Sequence, residues 1–304
     1  MKYSITGAAG HISKLLAELL LNSGHQVRVI GRDEKHLKQL KEMGAETAIG
    51  SVEDLNFLKT AFAGVDAVYT MCPPAMVPEG LTEYCEKVGK NFREAIEANH
   101  IRYVVNLSSV GAHLSEGAGH ITGMNRIEQQ LNSLEDVSVK HLRPVYFYTN
   151  FFMQMDMISS LGIMGSNFAM EANKFPLVEP SDIATVAANE LMRLNFTGHS
   201  VRYIASDERG TEEIASLIGK AIGNPGLKWI KFPDEQAFEG MMRVGIPERM
   251  AKEFTEGFKA FHEGKITEDY WKHRPLLGKV KLEEFANTFA SVYLAHKGIA
   301  EHNN

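Results

Sequence analysis

The chain has 304 residues, 44% of them apolar and 23% charged, with a formal net charge of −6 from 32 Lys and Arg against 38 Asp and Glu. That length accommodates one large domain, or a large domain with a smaller one appended, and the composition is that of an ordinary globular protein. The acidic balance argues against general nucleic-acid binding, no apolar run reaches the length of a membrane span, and the two cysteines, Cys72 and Cys85, lack a metal-type spacing.

The chain opens on a short apolar run, Tyr3-Ser4-Ile5, which ends in the small residues Thr6-Gly7-Ala8-Ala9-Gly10. A helical pattern follows without a gap, from His11-Ile12-Ser13 through Leu20. This predicts a first strand turning directly into a first helix. Small residues at 7 to 10 let backbone approach a diphosphate closely, and the new helix offers free N–H groups and the positive end of its dipole. Gly7, Ala8, Ala9, Gly10, His11 and Ile12 are therefore candidate cofactor contacts. Ordinary tight turns use small residues too, and it is the position between strand and helix that favours the functional reading. Entry into a strand within two residues leaves no room for a leader peptide, so a cytoplasmic location is expected.

Gly24 closes the first helix, and His25 to Ile30 reads as a second strand. NAD-preferring proteins usually end this strand with an acid that accepts from the ribose hydroxyls, whereas an arginine accommodates a 2′-phosphate. Gly31 stands in the place of the acid, Arg32 comes next, and Lys35 is within reach. The expected cofactor is NADP(H), because guanidinium grips a phosphate with two parallel donors, and NAD is the alternative. Arg32 as a residue of a solvated loop, and Asp33 as a ribose acceptor, are the competing assignments. A helix over 34–43 stops at Gly44, and 46–49 is a short strand. The segment 50–54 starts the next helix, with Ser51 or Asp54 as its cap and with Ser51 and Val52 as candidate adenine-side contacts. Ala67 to Met71 is a buried-strand pattern running into Cys72-Pro73-Pro74. Strand ends at the carboxyl edge of a parallel sheet line the ligand crevice, which makes Met71, Cys72 and Pro73 candidates for the nicotinamide ribose. Nothing near Cys72 in sequence would depress its pKa, so it reads as a small buried residue rather than a reactive thiol. A helix over 81–99 and a strand over 101–109, ending in Ser108-Ser109, follow.

Five segments together resemble the NmrA-like, atypical branch of the short-chain dehydrogenases and reductases. They are Thr6-Gly7-x-x-Gly10, Val27-Arg28-Val29-x-Gly31-Arg32, Val104-Val105-x-Leu107-Ser108-Ser109, His120 to Glu128, and Leu142-Arg143-Pro144-x-x-Phe147-x-x-Asn150. The likeness covers the first two-thirds of the chain well and the last third in general layout. It implies an α/β fold, a doubly wound parallel sheet of the Rossmann type with a smaller, mostly helical C-terminal subdomain on the substrate side. The dinucleotide-binding domain is expected over 1–150, with 181–205 returning to it, and the smaller subdomain over 151–180 and 206–304. Ser13 takes the place of a third glycine, and its small size should preserve helix-on-strand packing.

Members of this superfamily usually combine a serine with Tyr-x-x-x-Lys: tyrosine delivers the proton, lysine lowers its pKa and holds the ribose, and serine polarises the carbonyl. By position, Ser108 or Ser109 fills the serine role, while the other slot holds His120-x-x-x-Met124. NmrA-like relatives often carry His-x-x-x-Lys, so Met124 departs even from that branch. A thioether has neither proton nor charge to offer. Asn125 lies about 100° around the helix from position 124 and replaces it only with a local shift. His120 is either a proton donor, titrating near neutral pH, or a helix-start residue bonded to nearby backbone.

Val137 to Arg143 predicts a sixth strand, broken at Pro144. The apolar stretch from Val145 to Met153 follows, with Met155, Met157, Met164 and Met170 beyond it. Pro144 and Tyr146 are the candidate cofactor contacts here; the aromatic and methionine side chains are either a pocket wall or packing between subdomains. Ser181 is the expected cap of the next helix, Val201 to Ala205 a late strand, and Thr211 or a neighbour the cap of another helix. From about Lys228 the pattern is helical over 235–244, 247–262 and 282–296, with Met241, Met242, Tyr270 and Trp271 placed to close a pocket and a fraying tail over 301–304. No P-loop, nucleophile elbow or zinc spacing occurs, and no metal is expected. The expected function is an NADP(H)-dependent reductase, weak because positioning alone drives hydride transfer to a small apolar carbonyl or quinone. The alternative is a non-catalytic sensor that reports the NADP(H)/NADP⁺ level to a protein partner. Neither reading calls for a nucleic-acid or membrane partner, and the oligomeric state is left open.

Overall fold

Parallel strands covered on both faces read as near-continuous apolar runs, and crossover helices between them carry one apolar stripe. That alternation persists from residue 2 to residue 144. In the computed structural model, which describes residues 1–302 and side chains through His296, it produces β1 (Lys2–Ile5), α1 (His11–Asn22), β2 (Gln26–Gly31), α2 (Glu34–Glu42), β3 (Glu46–Ile49), α3 (Leu55–Ala61), β4 (Ala67–Met71), α4 (Leu81–Ala98), β5 (Tyr103–Leu107), α5 (Thr122–Asn132) and β6 (Ser138–Pro144). The remainder comprises β7 (Tyr146–Phe147), α6 (Met155–Leu161), β8 (Met164–Ser166), β9 (Phe175–Val178), α7 (Pro180–Arg193), β10 (His199–Ile204), β11 (Asp207–Arg209), α8 (Thr211–Ala221), β12 (Trp229–Lys231), α9 (Asp234–Arg243), α10 (Glu248–His262), α11 (Glu268–Lys272) and α12 (Leu282–His302).

Seven parallel strands form the main sheet in the order β10-β6-β5-β4-β1-β2-β3. Alternate residues feed two cores. Tyr3, Ile5, Ala67, Tyr69 and Val105 pack with α1 and α7 on one face, while Val68, Val104 and Val139 pack with α3, α4 and α5 on the other. This is the doubly wound arrangement. Its order reverses between β1 and β4, the switch point at which such sheets bind ligands. Two small sheets, β11-β9-β7 and β12-β8, sit in the remaining part with α9 to α12, so that part is less exclusively helical than expected.

Several local expectations change. Asp54, not Ser51, caps α3, accepting from the Asn56 and Phe57 amides at 2.9 and 3.1 Å. Helix α7 starts at Pro180 with Glu179 as its N-cap and no side-chain cap, so Ser181 lies inside the first turn; proline at N1 is the stronger signal, since its missing N–H needs no partner there. Gly210 precedes α8, and Thr211 instead binds the Met170 backbone. Tyr270 is fully buried, with its hydroxyl donating to Glu208, and cannot close a pocket from above. Of the aromatic stretch after Pro144, Tyr148 and Phe151 are fully buried and Phe152 stacks on Phe289 at 5.6 Å, the packing alternative, while Tyr146 and Phe147 are half-buried and Met153 is exposed. The tail expected to fray, 301–304, falls outside the residues described in full.

Candidate functional site

The turn between β1 and α1 sits at the switch point and is fastened to β4. The Thr6 amide donates to the Tyr69 carbonyl at 3.1 Å, and the Met71 amide donates to Thr6 Oγ1 at 2.8 Å. Gly7 has φ +66°, and a Cβ there would lie 2.3 Å from the Met71 sulfur, so glycine is required for both conformation and space. The Ala8 and Gly10 amides are committed to the Ile30 and Gly7 carbonyls at 3.0 and 2.9 Å. Helix α1 then begins at His11 with Gly10 as N-cap and no side-chain cap, which leaves its first-turn amides, including those of His11 and Ile12, without intrahelical acceptors. Ala9 and Gly10 are exposed. Ser13 is buried beside the Tyr69 phenol, so serine is accommodated in the third-glycine position, and burial raises the Tyr69 pKa.

At the end of β2, Gly31 lies close under Leu37, where a Cβ would make 3.2 Å contacts. Asp33 is the cap of α2, accepting from the Lys35 amide at 2.9 Å with one of its two carboxylate oxygens. Arg32 and Lys35 are exposed. The nearby ion pairs are Lys41 with Glu34 and Lys38 with Glu42; among the described residues Arg32 and Lys35 join no such pair. After β3, Ser51 Oγ accepts from the Glu53 amide at 3.2 Å, and Val52 is buried with its carbonyl bound by Asn91 at 3.1 Å. Val52 thus faces the core with its side chain.

Met71, Cys72 and Pro73 leave β4 half-buried, with Met71 against Gly7 and the Cys72 sulfur 3.5 Å from that of Cys85. Helix α10 covers the segment that follows. The Val77 amide donates to the Met250 sulfur at 3.2 Å, and the Leu81 and Thr82 amides donate to the Glu253 carboxylate at 2.7 and 3.2 Å. Glu253 therefore caps α4 from far along the chain, a role no local pattern announces.

Around β5 and α5 the residues are closed in. Ser109 donates to the Val110 carbonyl at 3.0 Å. Ser108 is buried and donates to Glu128 Oε1 at 2.5 Å. Glu128 in turn accepts two bonds from Arg143, at 3.0 and 2.7 Å, and Arg143 reaches Tyr203 at 3.1 Å and Asp269 at 3.4 Å. Burial opposes the Arg143 charge, and the Glu128 carboxylate more than restores it, so the guanidinium pKa is raised. This chain links β5, α5, β6, β10 and α11. Arg143 and Glu128 stand within the sequence motifs without an evident role there; a charged residue alternating with apolar ones in a central strand is the signal that a buried carboxylate must face it.

His120 lies in a 3₁₀ turn (Gly119–Ile121) pressed onto α10. A Cβ on Gly119 would strike the Glu253 carbonyl, and one on Gly257 would lie 2.8 Å from His120 Nδ1. The ring stands 4.7 Å from that of Phe254 and 5.9 Å from that of Phe258. Nδ1 is buried without a hydrogen-bond partner. Burial lowers its pKa to about 4, against a smaller opposing effect of the Glu253 carbonyl, so the imidazole is neutral at pH 7. Met124 packs into the apolar cluster of α4 and α5, near Cys72.

Pro144 ends β6 buried, with its carbonyl held by the Val110 amide at 2.9 Å. Tyr146 lies among Phe151, Phe168, Phe175 and Phe261, ring centres 5.0 to 6.2 Å away, and burial raises the phenol's pKa. The ring therefore packs within this aromatic cluster, which is continuous with the core beneath the sheet. A cleft of about 420 Å³ adjoins the first turn of α1, lined by His11, Lys14, Thr149 and Glu179. A larger one, about 940 Å³, runs along the edge strand β10 beside Tyr203, Asp269 and Leu277, with β6, β5 and β4 between it and the glycine turn.

Known proteins share this architecture over nearly the whole chain. An NADPH-dependent quinone oxidoreductase of Escherichia coli, solved with NADPH, superposes with a TM-score of 0.78 at 17% identity, covering 94% of this chain and 99% of that one. A triphenylmethane reductase of Citrobacter sp., solved with NADP(H), gives 0.76 at 19% identity over 94% and 99%. In sequence, an NAD(P)H azoreductase of Xenophilus azovorans is 22% identical over 254 residues, 83% of this chain and 84% of that protein. The model of the NmrA-like family matches residues 2–286, and the chain belongs to that family.

Proposed function

We propose that the chain is an NADP(H)-dependent reductase acting on a small apolar acceptor of the quinone or carbonyl class. The observation that carries this is the β1–α1 turn: a glycine-specific conformation at Gly7, exposed backbone at Ala9 and Gly10, and an uncapped helix start. Such a turn suits a diphosphate, since first-turn amides and the helix dipole both favour negative charge. Arg32 and Lys35, exposed and unpaired in ion pairs among the described residues, suit a 2′-phosphate on the adenosine ribose. Relatives described as quinone, azo and triphenylmethane reductases support the acceptor class.

A bound reduced nicotinamide supplies a hydride. The chain's own residues would hold and orient it: Gly7 and the first turn of α1 at the diphosphate, Arg32 at the ribose phosphate, and Met71 and Pro73 along the edge of β4. The proton comes from solvent. His120 is neutral and half-buried with its Nδ1 enclosed, Met124 has none to give, and Ser108 is turned toward Glu128. Quinone-like acceptors tolerate that arrangement, because positioning rather than proton delivery carries the rate.

Following NADPH absorbance with a panel of quinones and aldehydes tests the proposal. Turnover with quinones that persists in His120→Gln supports it, and tight NADPH binding without turnover of any acceptor rejects it. The closure of the 108–128 region favours a second reading, a silent sensor of NADP(H) that signals to a protein partner; that same outcome, binding without turnover, is what it requires.

A further inference from the structure

Cys72 and Cys85 are free thiols, thirteen positions apart in sequence, whose sulfurs stand 3.5 Å from each other. The approach is built into the packing. Helix α5 presents Gly123 to Cys85, and a Cβ on that glycine would lie 2.8 Å from Cys85 Cβ and 2.9 Å from its sulfur. A side chain at 123 would press on Cys85, so glycine is what lets α5 lie this close to it. On the other side, Cys72 is the first residue after β4, ahead of two prolines that restrict its backbone. Cys72 is half-buried and Cys85 buried, so a reagent meets Cys72 first. The Cys85 thiol, burial and the Glu53 carboxylate all raise the Cys72 pKa, which slows its attack on a disulfide at neutral pH, so the exchange is expected to quicken as pH rises.

We propose that Cys72 and Cys85 are a reversible dithiol–disulfide pair, oxidised by low-molecular-weight disulfides of the glutathione kind. The Cys72 sulfur, on losing its proton, attacks one sulfur of the small disulfide; that S–S bond breaks and its other half departs as a thiol. Cys85 sulfur, losing its own proton, then displaces the second small thiol and forms the internal bond. Two protein thiols lose two protons and two electrons, and one small disulfide takes them up to become two thiols. The bond length of about 2.05 Å asks the sulfurs to close by roughly 1.5 Å. Once formed, it ties the end of β4 to α4 and restrains the segment 72–80. Its bearing on nucleotide affinity, through the neighbouring Met71 and Pro73, rests on the dinucleotide reading above.

The test equilibrates the full chain in buffers of graded oxidised and reduced glutathione, then digests it without reduction for mass spectrometry. The expected result is loss of both free thiols together, with the Cys72 and Cys85 peptides joined and separated again by dithiothreitol. Cys85→Ser, close in size, is expected to stop at glutathione held on Cys72. Hydrogen exchange over 72–80 is expected to slow on oxidation of the native chain. Two thiols that stay free across the series, or glutathione that accumulates on Cys72 of the native chain without an internal bond, would overturn the proposal. No nucleotide enters this assay, so a chain that ignores NADPH defeats the reductase reading while leaving the disulfide result intact.

Discussion

Two regions at the carboxyl edge of one sheet have opposite characters. The β1–α1 turn is open: Gly7 holds a left-handed conformation, Ala9 and Gly10 are exposed, and the first turn of α1 lacks a side-chain cap. The β5–α5 region is shut. Ser108 is bound to Glu128, His120 is wedged against Gly257 and Phe254, and Met124 lies in an apolar cluster. In an enzyme that relies on a proton relay both would face ligand. Here the first-turn amides of α1 lack intrahelical acceptors, while Ser108, His120 and Met124 are taken up by contacts within the protein, the contrast on which the proposed function rests.

The sharpest break should come at the closed end. Arg143→Ala leaves Glu128 buried and unpaired, and removing one partner of a buried pair costs about 3–5 kcal/mol; urea unfolding should show a lowered midpoint. A loss within about 0.5 kcal/mol would mean the network is not what holds this region together. At the open end, Gly7→Ala should cost about 1–3 kcal/mol, from the strain of an L-residue at φ +66°. Gly24→Ala is the comparison, since it has φ +79° with nothing within 4 Å of the added carbon. Gly7→Ala should lower stability by more than Gly24→Ala, because its added carbon must also displace the Met71 side chain, and only Gly7→Ala should also weaken NADPH binding, by more than about tenfold. Arg32→Ala comes next. A charge-assisted bond is worth about 1.5–3 kcal/mol, so NADPH affinity should fall roughly 10- to 100-fold while NADH affinity stays within about twofold.

Acid should find the closed region first. His120 and His141 are both lowered by burial to about 4, from an ordinary value of 6.5. The unfolded chain therefore takes up protons between pH 6.5 and 4 that the fold refuses, and this contribution to stability is complete above 6.5 and is lost as pH falls toward 4. Glu179, raised to about 6 by burial and by Asp182, works in the other direction over part of that range. Urea midpoints at pH 7 and 4.5 should show a net fall, reduced in His120→Gln. The smallest effect belongs to that same variant in turnover. General acids contribute about 100-fold or more, so a change below about threefold places His120 outside the chemistry.

The open region was legible from sequence because its signals are local. A strand, a run of small residues and a helix follow one another within twenty positions, and Gly31-Arg32 ends the next strand. The closed region was not, because its determinants meet only in three dimensions. Glu253 reaches the start of α4, Gly257 receives His120, and Asp269 meets Arg143, all across more than a hundred residues. Position 120 read equally well as proton donor or helix start until α10 was seen lying on it. Cys85 carried no sign of Cys72, since their proximity depends on Gly123 of a third element. Ser181 is not a cap for a local reason: Pro180 already starts α7 without needing one.

Calorimetric titration of the purified chain with NADPH and then NADH addresses the contrast most directly. The account predicts one-to-one binding of NADPH, tighter than NADH by about tenfold or more, with the preference abolished in Arg32→Ala. Absence of heat with either nucleotide, or an NADH preference that Arg32→Ala leaves unchanged, would contradict it.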